Sequence, residues 1–274
     1  GRGTFSNDGW SRPDVLNSFA SLSFGGDTRN YWRAWRLEGM VSRDHMLAIG
    51  QLSTTAGVRW EDARSVGPES GTRSGPWSLI RSNDEIDGML RPNPPVMRGS
   101  ITSALVEGTL STFLGDMTSR STLRLEAPLS AADDSRWVQG TLDAELTMPT
   151  FGNQLLLITT HAMATAGDTP PPQRWAYLGG GATLATMDLL QQGGDVLLYI
   201  DAAYVVPLPQ PLLPMVGPPV FALRYAVGGA GVGSLPSLTQ NVGGGIGFSM
   251  LRLDLLVDPS TGRTSFGLSV SPFR

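Results

Sequence analysis

The chain has 274 residues, of which 16% are charged, against about 25% in an average soluble domain, yet hydrophobic residues reach only 41%. All 20 basic residues are arginine and the net charge is −4, so no basic field for nucleic acid exists. Cysteine is absent, which excludes a disulfide frame, a thiolate nucleophile and a Cys-based metal site. No apolar run reaches the ~18 residues of a membrane helix, and the start at Gly1, with neither Met nor a signal peptide, is that expected of a processed or truncated amino terminus.

In chain order the recurring signal is alternation at period two, the signature of strands with two different faces. Strands are expected near 15–25, 30–41 and 45–60, followed by a long loop over 61–99. In 100–114, Ala104, Val106, Leu110 and Leu114 share one face, opposed by Ser103, Glu107, Thr109 and Ser111. A tight turn at Gly115-Asp116 leads to 121–129, where Leu123, Leu125 and Ala127 oppose Arg124 and Glu126. In 136–149, Val138, Leu142, Ala144, Leu146 and Met148 oppose Gln139, Thr141, Asp143 and Glu145. The turn Phe151-Gly152-Asn153 returns into 153–166, and a Pro- and Gly-rich segment over 167–194 follows. The strand 195–208 has one wholly apolar face, while Asp201 sits on the other among Leu197, Tyr199, Ala203 and Val205. Further strands are expected at 219–229 and 240–250. Leu251, Leu253, Leu255 and Val257 then alternate with Arg252 and Asp254, and Phe266, Leu268 and Val270 with Gly267, Ser269 and Ser271. The total is about twelve strands, separated by turn-forming residues.

A soluble sandwich buries the apolar faces; a transmembrane barrel points them at lipid and turns the polar faces to a lumen. Three features favour the barrel. The polar faces carry both signs of charge, with Asp143, Glu145, Asp201, Arg224, Arg252 and Asp254 as candidate lumen charges. Tight connections alternate with long ones, as periplasmic turns alternate with external loops. Trp32, Trp60, Trp137, Trp175 and Tyr177 stand near strand ends, where an aromatic girdle would place them. The expectation is an all-β fold: one transmembrane antiparallel β-barrel domain over 1–274, of about 12 strands, or up to 16 if an N-terminal part is missing.

From about residue 90 onward the order of features resembles the BamA/TamA outer-membrane barrel superfamily, which includes the two-partner secretion transporters. Pro92-Asn93-Pro94-Pro95-Val96-Met97-Arg98-Gly99 is similar to the family's proline-rich lead into a long strand; its prolines deny ladder donors, so pairing starts after them. Pro170-Pro171-Pro172-Gln173-Arg174-Trp175-Ala176-Tyr177-Leu178-Gly179-Gly180 resembles the lead into the family's loop that folds back into the barrel. The resemblance implies an inward loop here over 167–194, with Gly179, Gly180, Leu184 and Asp188 as its candidate residues. Where the family continues with Val-Arg-Gly-Tyr, whose arginine pairs with an acid on the inner wall, this chain has Ala182-Thr183-Leu184-Ala185-Thr186-Met187-Asp188. That arginine position is not filled, so Arg224 or Arg252 is the expected donor to a wall carboxylate. Asn241-Val242-Gly243-Gly244-Gly245-Ile246-Gly247-Phe248 resembles the family's glycine-alternating strand, in which glycines let the sheet bend or make room inside. Phe266, Leu268, Val270 and Phe273 resemble the closing strand, whose near-terminal aromatic is the assembly signal. Residues 1–90 match less closely, and the family's periplasmic repeats have no counterpart in them.

No catalytic or cofactor motif stands out. Gly228 to Gly233 is glycine-rich but lacks the Lys-Ser/Thr pair and the following helix of a phosphate loop. His45 and His161 have no Gly-x-Ser-x-Gly partner, and His161 is expected to share an inner barrel face with Thr159 and Met163. Asp133-Asp134 and Asp84-Glu85 read as solvated loop charge rather than a calcium site. The expectation is a non-enzymatic barrel of a bacterial outer membrane without cofactor or metal, surrounded by lipid. As the resemblance implies, it would act in protein insertion or secretion on a client polypeptide. The alternatives are a non-transporting barrel that anchors an upstream domain or scaffolds a partner complex, and a small-solute pore.

Overall fold

The computed structural model describes residues 2–4, 31–65, 85–86, 89–90, 94–208, 219–248 and 251–270. Its strands are, in chain order, β1 (Arg2–Thr4), β2 (Tyr31–Leu47), β3 (Gly50–Ser65), β4 (Glu85–Ile86), β5 (Met89–Leu90), β6 (Gly99–Leu114), β7 (Met117–Ala131), β8 (Trp137–Pro149), β9 (Leu155–Gly167), β10 (Ala176–Leu178), β11 (Gln192–Gly194), β12 (Val196–Pro207), β13 (Pro219–Gly231), β14 (Thr239–Phe248), β15 (Leu251–Val257) and β16 (Thr264–Val270). Twelve of them form one antiparallel sheet in the order β1-β2-β3-β6-β7-β8-β9-β12-β13-β14-β15-β16. Each strand therefore pairs with the next sheet strand in the chain, the meander of an up-and-down barrel. β4 pairs with β5 and β10 with β11, each as a separate two-stranded ribbon.

The short turns at 48–49, 115–116 and 151–153 lie at one end of the sheet, and the connections 132–136, 168–191 and 232–238 at the other. Alternation assigns the two faces. Trp35 is 73% exposed, Phe266 73% and Leu268 67%, and Val41, Val58, Val106, Leu123, Leu125, Val138, Leu223, Leu253 and Leu255 share that outward face. The opposite face holds Glu61, Glu126, Gln139, His161, Arg224, Asn241 and Asp254, all buried. Apolar outside and polar inside is the inverse of a water-soluble domain and the pattern of a barrel wall. The sheet curves around the 168–191 connection, because residues of that one segment touch β3 and β7 on one side and β12 and β14 on the other.

Two expectations change, and a third falls outside the described residues. The first two long strands meet at Ala48-Ile49, not over 42–44 between the expected strands 30–41 and 45–60; that stretch instead belongs to β2. The expected strand 15–25 lies outside the described residues, and the first strand of the sheet is Arg2–Thr4, paired with Arg33–Tyr31. The aromatic girdle is mostly wrong: Trp60 faces outward, but Trp32, Trp137 and Tyr177 are buried on the inner side. Trp32 and Tyr177, with Trp175 packed against them, share an interior cluster with Ala34 and Val96. Proximity to a strand end says nothing about the face, and the parity of Trp32 and Trp137 points both inward.

Candidate functional site

The inward segment begins at Pro170 and Pro171, continues through a single 3-10 turn at Pro172–Arg174, and enters the lumen along β10. Three prolines pre-set the extended and turn dihedrals at little entropic cost. Gln173 mimics a strand residue, accepting from the Met97 N–H (3.0 Å) and donating to its carbonyl (3.3 Å). Gln139 Nε2 of β8 donates to the Arg174 carbonyl at 3.1 Å. These contacts fix the backbone so that the Arg174 side chain reaches two strands of one wall at once. Its Nη1 stands 2.8 Å from Glu61 Oε1 of β3, and its Nε 2.8 Å from Glu126 Oε1 of β7. A planar guanidinium can bridge two carboxylates in this way; a lysine ammonium is a point charge and cannot do so with the same geometry.

Deeper in the lumen the loop turns back. Gly179 and Gly180 adopt φ of 126° and 85°, which L side chains rarely tolerate, and the Gly179 N–H donates to Thr183 Oγ1 at 2.9 Å. Leu178 and Leu184 are fully buried and pack with Met163 of β9, Leu197 and Tyr199 of β12, and Ala226 and Ala230 of β13. Each such leucine contributes about 2 kcal/mol of burial. Tyr199 OH donates to the Thr183 carbonyl at 3.2 Å. The Thr186 N–H donates to Asn241 Oδ1 (3.1 Å), and Asn241 Nδ2 donates to Thr186 Oγ1 (2.7 Å). Asp188 is exposed at the turn toward β11, its N–H donating to Gln191 Oε1. Of the four inward-loop candidates, Gly179, Gly180 and Leu184 thus make the buried turn, and Asp188 stands at its margin.

The lumen-charge candidates separate into two groups. Arg224 of β13 pairs with Asp201 of β12 and lies 3.4 Å from Asp254 of β15, which Arg252 also contacts at 2.6 Å. To reach β15, Arg224 crosses β14, whose inward positions Gly243, Gly245 and Gly247 carry no side chain. A Cβ on Gly245 would collide with the Asp254 carboxylate and stand 2.6 Å from the Leu253 carbonyl. Asp143 instead pairs with His161 of β9, Nδ1 to Oδ1 2.6 Å, and His161 stacks on Tyr199 with ring centres 6.2 Å apart. His161, Thr159 and Met163 share the inner face of β9 as the alternation predicts. Glu145 is exposed, opposite Arg120 in the register. A small cavity lies between Glu107, Arg124, Asp143 and His161. Phe266 and Leu268 face outward; Val270 ends β16, and Phe273 lies outside the described residues.

The expected donor to the wall beneath the loop was Arg224 or Arg252. Those two serve Asp201 and Asp254, whereas Glu61 and Glu126 receive an arginine of the loop itself, Arg174, upstream of the position the resemblance implies. One signal for it was in the sequence: Arg174 is the only charge between Asp168 and Asp188, a lone cation in a segment otherwise fit for burial. Glu61 and Glu126 lie on the inward parity of their strands, but nothing local names their partner.

No family model matches the chain, and no curated protein does. Among solved structures, CdiB from Acinetobacter baumannii superimposes with a TM-score of 0.58 at 14% identity, over 88% of this chain and 42% of that one. The likeness is one of fold. This chain spans less than half the length of that structure.

Proposed function

We propose that the chain is a barrel domain of the BamA/TamA superfamily in a bacterial outer membrane, and that it moves polypeptide through or into that membrane with the 168–191 loop as its movable plug. The carrying observation is the loop's attachment: one segment fills the upper lumen and is fixed to opposite walls by side chains, through Arg174 to Glu61 and Glu126 and through Thr186 to Asn241. Two further observations support the reading. The outer face is apolar where lipid would stand, and the backbone is paired strand to strand, as a hydrocarbon environment requires. The fold is also shared with CdiB, a two-partner secretion transporter. The client would be an unfolded or extended chain, which meets a lumen wall that is hydroxyl-rich and charged along β3, β6 and β7 but apolar at Leu155, Leu157, Ala203, Val205 and Ala222.

The test has two stages. The protein is expected to fractionate with outer membranes and to migrate differently in detergent gels before and after boiling; a chain soluble without detergent and indifferent to boiling would sink the membrane assignment. In planar bilayers it is expected to be mostly closed with brief openings, and deletion of residues 175–190 is expected to leave it open. A barrel equally closed after that deletion would favour the anchoring role over transport.

A further inference from the structure

Each glutamate that holds Arg174 offers it only one oxygen. Glu61, 0% exposed, gives Oε1 to Arg174, while its Oε2 receives Arg36 of β2 through Nη2 (2.8 Å) and Nε (3.0 Å). Glu126 gives Oε1 to Arg174, and its Oε2 lies 3.4 Å from Arg59 Nη1 of β3. Arg59 is itself held by Glu38 at 2.6 Å, and Arg36 lies over the ring of Trp32 at 5.7 Å. With the loop seated, three arginines face three carboxylates and the cluster is neutral. With the loop withdrawn, the wall keeps two arginines and three carboxylates, one net negative charge, and neither glutamate is bare.

We propose that Arg36 and Arg59 are standing partners that make the seat reversible. The loop can withdraw Arg174 without stranding a buried carboxylate, which is the costly event in breaking a buried ion pair, and the vacated seat accepts a free guanidinium group. This rests on the reading that the loop moves, and it carries a sign that an ordinary structural role would not. Removing Arg174 frees the loop. Removing Arg36 or Arg59 holds it more tightly, because withdrawal then leaves Glu61 or Glu126 unpaired.

The chain has no cysteine, so a Thr186→Cys, Asn241→Cys pair, at positions whose side chains meet at 2.7 Å, reports loop seating by the rate of disulfide formation. The full chain is reconstituted in phosphatidylethanolamine and phosphatidylglycerol bilayers, and cross-linking and conductance are followed in guanidinium chloride and in sodium chloride of equal ionic strength. Guanidinium, not sodium, is expected to slow cross-linking and raise the open fraction. Arg174→Gln is expected to do so without it, by about tenfold or more, the equivalent of one charged hydrogen bond lost. Arg36→Gln and Arg59→Gln are expected to shift both readouts the other way. If Arg36→Gln fails to fold, as boiling-insensitive migration would reveal, Arg36→Lys is expected to show the same sign at smaller size. Opening by Arg36 and Arg59 variants, or no guanidinium response in the parent chain, would overturn the proposal. A barrel that gates in this way but exports no polypeptide would leave the seat intact and remove only the secretion reading.

Discussion

Two buried arginines organise this lumen, and they do opposite work with the same chemistry. Arg224 ties together β12, β13 and β15, strands that lie within three places of each other in the sheet. Arg174 ties a loop to strands 113 and 48 residues back in the chain. Around Arg224 the partners cannot separate without tearing the sheet, so the cluster is a brace. Around Arg174 only the loop need leave, and the carboxylates it abandons retain Arg36 and Arg59. Whether a buried ion pair stiffens or switches is therefore decided by what covalent structure stands behind each partner, not by its geometry.

The comparison can be broken most severely at Gly245. Gly245→Val places a side chain where the Asp254 carboxylate lies, and the loss of the brace together with the clash is expected to cost more than about 3 kcal/mol. The readout is the fraction of protein that shows heat-modifiable migration. Next, Arg224→Met leaves Asp201 and Asp254 to share Arg252, and is expected to lower urea stability in detergent by about 3 kcal/mol. Arg174→Met in the same assay is expected to lower it far less while raising bilayer conductance. Equal loss of stability in the two variants would erase the distinction between brace and latch. Tyr199→Phe touches both regions, since its hydroxyl meets the Thr183 carbonyl and Asp201 Oδ2, each at 3.2 Å; a loss of about 1 kcal/mol is expected, with a modest rise in open fraction.

The smallest effect belongs to a turn outside both clusters. The Ser260 hydroxyl, helped by the Ser260 amide and by Thr261, holds the Asp258 carboxyl below its usual value. A depressed folded-state pKa adds stability above the unfolded value and loses it as pH falls through the folded one. Asp258→Asn is therefore expected to reduce thermal stability slightly at neutral pH, and the gap from the parent is expected to close below about pH 4. A gap that persisted at acid pH would assign the effect to the turn's shape rather than to its charge.

The wall was legible in the sequence because period two needs only local information. Val106 against Glu107 and Leu253 against Asp254 announce their faces without reference to any other strand. What alternation cannot supply is the partner across the lumen. Arg174 stands out as the lone charge of its segment, but Glu61 falls in the expected 61–99 loop among Arg59, Asp62 and Arg64, and nothing between the two in the chain says that they meet. The inner aromatics escape the sequence for a related reason: Trp32 and Trp137 stand near strand ends, yet one step of parity separates lipid from lumen, and position along the strand does not record that step. The glycine alternation of β14 leaves two uses open, bending the sheet or making room inside, and the structure puts room to use: the Arg224 side chain crosses there.

The same separations bear on the order of assembly. Ladders between neighbouring strands close short loops, which costs little chain entropy, so β6 with β7 and β8 with β9 can zip as hairpins. The loop's full set of contacts is complete only when β3, β7, β12 and β14 all stand in place. Seating is thus expected to close the folding sequence, and a barrel halted just before it would have its strands paired while Arg174 was still in water.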